Sequence, residues 1–347
     1  MFSVIAVALQ DVRGRRARSL LGAAAEAALL TVGTEDVDPK SLRKMGIGWA
    51  RWLRFCAEEQ CSSIPADPYD VALFYTILML WCERKGYAMG PLLVAADAIA
   101  YAHNHRGLAN PARAAMAGAV LEAAKRRLGR PRVKSRPITD DILAKLSDRF
   151  AKEADIGWFT IYVIILIGFA GMFRYDDMTH IDLGVSEIFI DHARLFVATR
   201  KTDKIYEGKW VAIAAVGGRG CPVRALKRWQ RLSGISSGSF CLQVYRSRVD
   251  SRQERVCRLL PHKSLTYNRF RENMQVAFVM AGVPVDQARE FGTRCLRMGA
   301  ATKAITLGVD AHLVMEHGGW KTPAVMLGYV VSSLQRQLSV SRALFKI

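Results

Sequence analysis

A set of cations gathered around one tyrosine stands out in this chain, and the chemistry open to such a set is phosphoryl transfer without a metal. That reaction needs donors to neutralise the non-bridging oxygens of the transition state, a nucleophile, and an acid for the leaving alkoxide. Arginine suits the first role, because its planar fork is always charged and grips phosphate through two hydrogen bonds. Tyrosine suits the second, since a covalent phosphotyrosine conserves the energy of the broken bond. Competing chemistries leave no trace. Metal-dependent nuclease or transposase work needs acids at strand ends to hold divalent ions, and the 31 acids here are scattered. There is no P-loop, GxSxG, HExxH or strand-to-helix GxGxxG. The seven cysteines (Cys56, Cys61, Cys82, Cys221, Cys241, Cys257 and Cys295) form no CxxC pair or nearby Cys/His group. They read as buried free thiols in a reducing compartment, so neither a metal nor a cofactor is expected.

The elements that must position these residues fill 347 residues, a length that suggests two domains. With 51% hydrophobic and 23% charged residues the chain is an ordinary globular mix, which excludes disorder and collagen-like repeats. Its 50 Lys+Arg against 31 Asp+Glu leave a net charge of +19, which favours a polyanionic partner such as nucleic acid. Residues 1–36 read as an N-terminal extension with a helical pattern. The opening MFSVIAVALQ lacks the basic n-region of a signal peptide, so secretion is not expected. Residues 37–128 read as a bundle of four or five helices, with Asp38-Pro39, Asp67-Pro68 and Asn110-Pro111 as starts and Gly86 and Gly107 as stops. A basic linker is expected at 129–137. With the end of the preceding helix it brings seven cations together (Lys125, Arg126, Arg127, Arg130, Arg132, Lys134 and Arg136), suited to lying along phosphates. Residues 138–347 read as a second, mostly helical domain with one small antiparallel sheet between Glu187 and Val216. The fold class is therefore mainly α, of the α+β kind. The run from Ile156 to Phe173 holds eighteen residues without a charge, long enough to suspect a membrane span. Gly157, Gly168 and Gly171 interrupt it and an arginine-led segment comes next, so a buried helix and no membrane contact are expected.

Four segments carry a resemblance. They are GFAGMFRYDDMTHIDL, ATRKTDKIYEG, FGTRCLRMGAATKAITLGV and MEHGGWKTPAVMLGYV. Together they resemble the motifs of the tyrosine recombinases, or phage integrases, of the Cre and Xer kind. The first corresponds to that family's first arginine box, with Arg174 and, three residues on, Asp177. The second resembles the SKTD turn and places its lysine at Lys201, with Lys204 an alternative. The third resembles the HSLRRGAAT box, with the second arginine at Arg297. The fourth closes with Trp320 and Tyr329. Trp320 lies 23 residues after Arg297 and Tyr329 nine after Trp320, which are the family's spacings. Tyr245 and Tyr267 lack that spacing.

The resemblance implies a helical, SAM-like core-binding domain and a catalytic domain that grip duplex DNA between them, acting in the cytoplasm or nucleoid of a bacterium or the nucleus of a eukaryote. Tyr329 would attack a phosphate to give a 3′-phosphotyrosyl link. Arg174, Arg294, Arg297 and Trp320 would stabilise the transition state and Lys201 would protonate the leaving oxygen. Family members act as homotetramers on two DNA sites, and VVSSLQRQLSVSRALFKI resembles the terminal helix that docks into a neighbour. One position departs from the pattern: Arg294 stands where the family has histidine, or sometimes lysine. Arginine can donate to phosphate but cannot act as a base, so a catalytically impaired DNA-binding descendant is the alternative. Duller roles are open to several residues. Arg297 could pair with Glu290, Trp320 could be plain core, and His312 and His317 read as structural.

Overall fold

The computed structural model describes residues 37, 39–130, 136–200, 207–246, 257–332 and 334–345. The expected N-terminal extension, 1–36, and the candidates Arg132, Lys134, Lys201 and Lys204 lie outside the described residues. The chain divides into two units, residues 1–132 and 133–347.

In the first unit the described helices are α1 (Pro39–Glu59), α2 (Pro68–Lys85), α3 (Gly90–Asn104) and α4 (Ala115–Leu128). Trp49, Trp52, Phe55 and Cys56 form the buried face of α1. Opposite stand the small residues Ala95, Ala96 and Ala98 of α3, and a Cβ on Gly48 would lie 2.6 Å from the Val94 carbonyl oxygen. Asp67 accepts from the Tyr69 N–H at 2.7 Å to start α2, and Gly86, at φ 68°, ends it as its position predicts. Asn110-Pro111 differs from expectation. It opens a single 3₁₀ turn, Pro111–Arg113, and α4 begins only at Ala115, because Ala114 is extended (ψ 157°). His103, fully buried, accepts from the Ala66 N–H at 3.0 Å through Nε2, while its Nδ1 lies 2.8 Å from the Ile99 carbonyl. That pairing demands the neutral ring, and burial holds its pKa below the usual histidine value.

The second unit is built around α6 (Ile156–Ala170), eleven of whose fifteen residues are buried. Thr139 caps α5 (Asp140–Phe150), and α5, α8 (Pro222–Ser233), α9 (Tyr267–Met280) and α11 (Arg294–Thr306) pack on α6. A helix enclosed on all sides has no polar face to keep, which is why its sequence looks membrane-like. It stops three residues short of the uncharged run, and among the described residues no helix is long and apolar enough to cross a membrane. The short α7 (Tyr175–Thr179) is next, then β1 (Ile181–Ile188), β2 (His192–Val197) and β3 (Lys209–Ala214) in one antiparallel sheet of order β1-β2-β3.

Two features correct the expected single sheet. β1 begins at Ile181, before the alternating stretch, and its register shifts between Asp182 and Glu187, so residues 183–186 break the period-two signal. A second sheet also exists, β4 (Leu242–Arg246) against β5 (Cys257–Ser264). Pro261 hides β5 in the sequence. Leu242 pairs with Ser264 but Gln243 with Leu260, so the proline sits in the bulge where no ladder N–H is needed. The remaining helices are α10 (Val285–Arg289), α12 (Ala311–Gly318), α13 (Pro323–Leu327) and α14 (Leu334–Leu344).

Candidate active site

Arg174 owes its place to the way α6 ends. Phe173 N–H bonds back to the Gly168 carbonyl, and Met172 adopts φ 50°, a left-handed turn unusual for a side chain of its size. The chain reverses there and Arg174 becomes the N-cap of α7. Asp177, fully buried, reaches back to accept from the Arg174 N–H at 3.1 Å, and its Oδ2 lies 3.8 Å from Arg174 Nη1. The acid three residues after the arginine is therefore a cap that fixes the arginine's backbone.

α11 carries Arg294 and Arg297 on one face, three residues apart. Arg297 is 1% exposed and donates through Nη1 to the Met172 carbonyl, whose direction the left-handed turn sets. Arg294 is exposed. α12 ends in two glycines that the site requires. A Cβ on Gly318 would lie 1.9 Å from the Trp320 indole, and Gly319 takes φ 67°, closing the helix so that Trp320 N–H bonds to the Met315 carbonyl at 2.9 Å. The Trp320 ring then lies 3.7 Å under Cζ of Arg297. Tyr329 comes after α13 in a turn, and the next stretch of backbone is held by Val331 N–H bonded to Thr302 Oγ1 at 2.9 Å. Its ring is 5.4 Å from that of Trp320, 5.2 Å from Cζ of Arg297 and 5.0 Å from Cζ of Arg294. Tyr245 and Tyr267 stand elsewhere, the first beneath Arg258 and the second edge-on to Tyr175.

Electrostatics set the two principal ionisations. Burial, and next the Arg174 guanidinium, push Arg297 down to about 9, which still leaves it charged at neutral pH. Burial would raise the Tyr329 phenol, but Arg294, Arg174 and Arg297 outweigh it and hold that phenol below its ordinary value. Several buried polar atoms here have no hydrogen-bond partner among the described residues: Arg174 Nη1, Arg297 Nε and Nη2, and Trp320 Nε1.

Two residues escaped the sequence reading. Arg200, just after β2, is 6% exposed and its Nε, Nη1 and Nη2 lack partners among the described residues. Lys209 opens β3 and donates to the Glu316 carbonyl at 2.6 Å, with burial lowering its pKa. Only the unpaired buried nitrogens mark Arg200, and no sequence pattern encodes them. The duller alternatives resolve as well. Glu290 pairs with Arg136 at 2.6 Å and not with Arg297. Trp320 is buried in a small cluster with Met172, Val314 and Met326, yet its indole N–H has no partner among the described residues. His317 Nε2 is 2.8 Å from the Ala170 carbonyl, a structural contact, and His312 is exposed.

The basic block begins on a helix and runs past its end. Lys125, Arg126 and Arg127 occupy the last turn of α4 with exposed side chains, where cations also suit the helix dipole. Arg127 is bound to Glu83 at 2.7 Å, Lys125 to Glu122, and Arg130 donates to the Gly86 carbonyl.

No protein-family model matches the chain. Among curated proteins, the integrase/recombinase xerD homolog of Selenomonas ruminantium is 24% identical over 294 residues, covering 84% of this chain and 81% of that protein. Among solved structures, a lambda integrase (75–356) dimer bound to a COC′ core site aligns with a TM-score of 0.51 at 14% identity, covering 88% of this chain and 93% of that one. The Tn1549 transposon integrase in complex with transposon right end DNA aligns with a TM-score of 0.52 at 9% identity, covering 99% of each chain. In sequence along most of its length, and in fold, the chain is similar to the tyrosine recombinases.

Proposed function

We propose that this protein is a site-specific DNA strand transferase that cuts and rejoins duplex DNA through a phosphotyrosyl link. The observation that carries the reading is Tyr329 set against Arg294, Arg297 and Trp320, beside buried donors that lack partners among the described residues. Such donors are costly to bury unless an anion completes them. The similar structures are integrases in complex with DNA, which supports the same reading.

In this mechanism the Tyr329 phenolate attacks the phosphorus of a scissile phosphodiester. The bond to the 5′ oxygen breaks, and that oxygen takes a proton from Lys201, the lysine the motif assigns. Arg174, Arg297 and the Trp320 N–H hold the non-bridging oxygens, whose charge grows during attack. Arg294 cannot receive the phenolic proton, so it acts by favouring the phenolate while the proton passes to water. Reversal by a second strand's 5′-hydroxyl restores the phosphodiester, so no external energy source is consumed. Lys125, Arg126, Arg127, Arg130, Arg132, Lys134 and Arg136 track the DNA backbone and supply affinity without sequence choice.

The same reading takes the protein to a homotetramer on two DNA sites. α14 exposes Leu338 and Leu344, with Phe345 beyond, and a cavity of about 560 Å³, whose apolar residues Met172, Trp210, Leu313 and Val314 are joined by the polar Arg194, Lys209, Glu316 and His317, is offered as the seat for such a helix from a neighbouring copy. Arg294 in place of histidine favours a second reading, a DNA-binding protein with impaired chemistry. A nicked suicide duplex built from the DNA flanking the gene separates the two: the transferase becomes trapped covalently, and an impaired descendant binds without an adduct.

A further inference from the structure

Arg200 is not among the residues that the motifs assign, yet among the described residues none of its three guanidinium nitrogens has a hydrogen-bond partner. It leaves the end of β2, where Ala198 N–H bonds to the His180 carbonyl and so ties that strand end to α7. Its guanidinium is bracketed by the neighbours of two proposed phosphate donors. Cζ lies 5.6 Å from the ring of Phe173, which precedes Arg174. Nη1 would be 2.3 Å from a Cβ on Gly319, which precedes Trp320.

The obvious internal partner for this cation is Asp177, and the two are not hydrogen-bonded. Asp177 Oδ1 and all three Arg200 nitrogens are buried without partners among the described residues. One carboxylate also faces three guanidiniums, those of Arg174, Arg200 and Arg297. Two positive charges are therefore left over in a region where an uncompensated charge is expensive. A phosphodiester under attack by a phenolate carries two negative charges in total, which is the complement of that excess.

We propose that Arg200 is a further ligand of the scissile phosphate, donating to a non-bridging oxygen beside Arg174, Arg297 and Trp320. This rests on the strand-transfer reading for its substrate, but not for its test.

The test uses the full chain without DNA and with inorganic phosphate as the probe, following the thermal unfolding midpoint as phosphate is added at constant ionic strength. The variants are Arg200→Met and Arg200→Lys, with Arg231→Gln, an exposed cation of α8, as the control for phosphate bound elsewhere on a basic surface. A charge-assisted hydrogen-bond pair is typically worth about 10- to 100-fold in affinity. Arg200→Met should lose that much phosphate affinity while unfolding no earlier than the parent in phosphate-free buffer, because an unpaired buried charge has gone. Arg200→Lys should keep part of the response, and Arg231→Gln all of it. If Arg200→Met unfolds earlier or fails to fold, Arg200 is a structural brace and the proposal is overturned. An unchanged phosphate response in Arg200→Met overturns it equally. Loss of covalent trapping by the parent protein would instead count against the strand-transfer reading and leave this result standing.

Discussion

Replacing Arg294 by histidine exchanges one kind of help for another, and the exchange can be weighed. Cζ of Arg294 lies 5.0 Å from the Tyr329 ring centre. Two unit charges at that separation interact by roughly 0.8 kcal/mol in water and roughly 3 kcal/mol at an effective dielectric of 20. Arg294 is exposed, so the lower end applies, and its loss costs about 1 kcal/mol, a factor of about five in rate. A positioned general base is worth ~10²–10⁴-fold, and the lower end applies because imidazole is the shorter side chain. Arg294→His should therefore cleave about 10- to 100-fold faster than the parent. Its rate should rise with pH through ~6.5, because the ring must be neutral to accept the phenolic proton. The parent should lack that inflection and climb only as Tyr329 itself ionises. Arg294→Gln, which removes the charge without adding a base, should be about fivefold slower. The assay is single-turnover trapping on a nicked duplex at matched salt across pH. A histidine variant slower than the parent would refute the reasoning and make Arg294 a working phosphate ligand in a re-tuned site.

The same geometry sets other outcomes. Tyr329→Phe should bind DNA with unchanged affinity in a filter or mobility assay and form no covalent adduct; an adduct would move the nucleophile to another residue. Gly318→Ala drives a methyl into the Trp320 indole, so the unfolding midpoint should drop by an amount equivalent to ~1–3 kcal/mol, and a neutral result would mean the indole is free to move. The buried neutral His103 makes the first unit acid-sensitive. Its folded pKa is lowered, so its contribution is fully present above the unfolded value of ~6.5 and is lost as pH falls through and below it. The difference in urea midpoint between the parent and His103→Gln should therefore shrink from pH 7.5 to pH 5, and a constant difference would show that the ring does not titrate on unfolding.

Local rules made much of this protein legible from its residues. Arg294 and Arg297 share a face because three residues nearly complete a helical turn, and the caps at Asp67, Gly86 and Thr139 act within a few bonds of where they stand. The interval from Trp320 to Tyr329 likewise spans one short helix and a turn, so spacing alone could carry the resemblance. What the sequence could not decide depends on contacts between distant segments. Pro261 spoils a strand pattern until its partner strand shows the bulge that shelters it. Glu290 could have paired with Arg297, but Arg136, far away in the chain, reaches it instead. The membrane-like run at Ile156 is a core helix only because four helices enclose it. Arg200 looks like any surface cation beside Lys201 until β2, α7 and the glycine before Trp320 close around it. Burial, and the unpaired charge that burial leaves, are properties of the packed chain, and no periodicity or spacing encodes them.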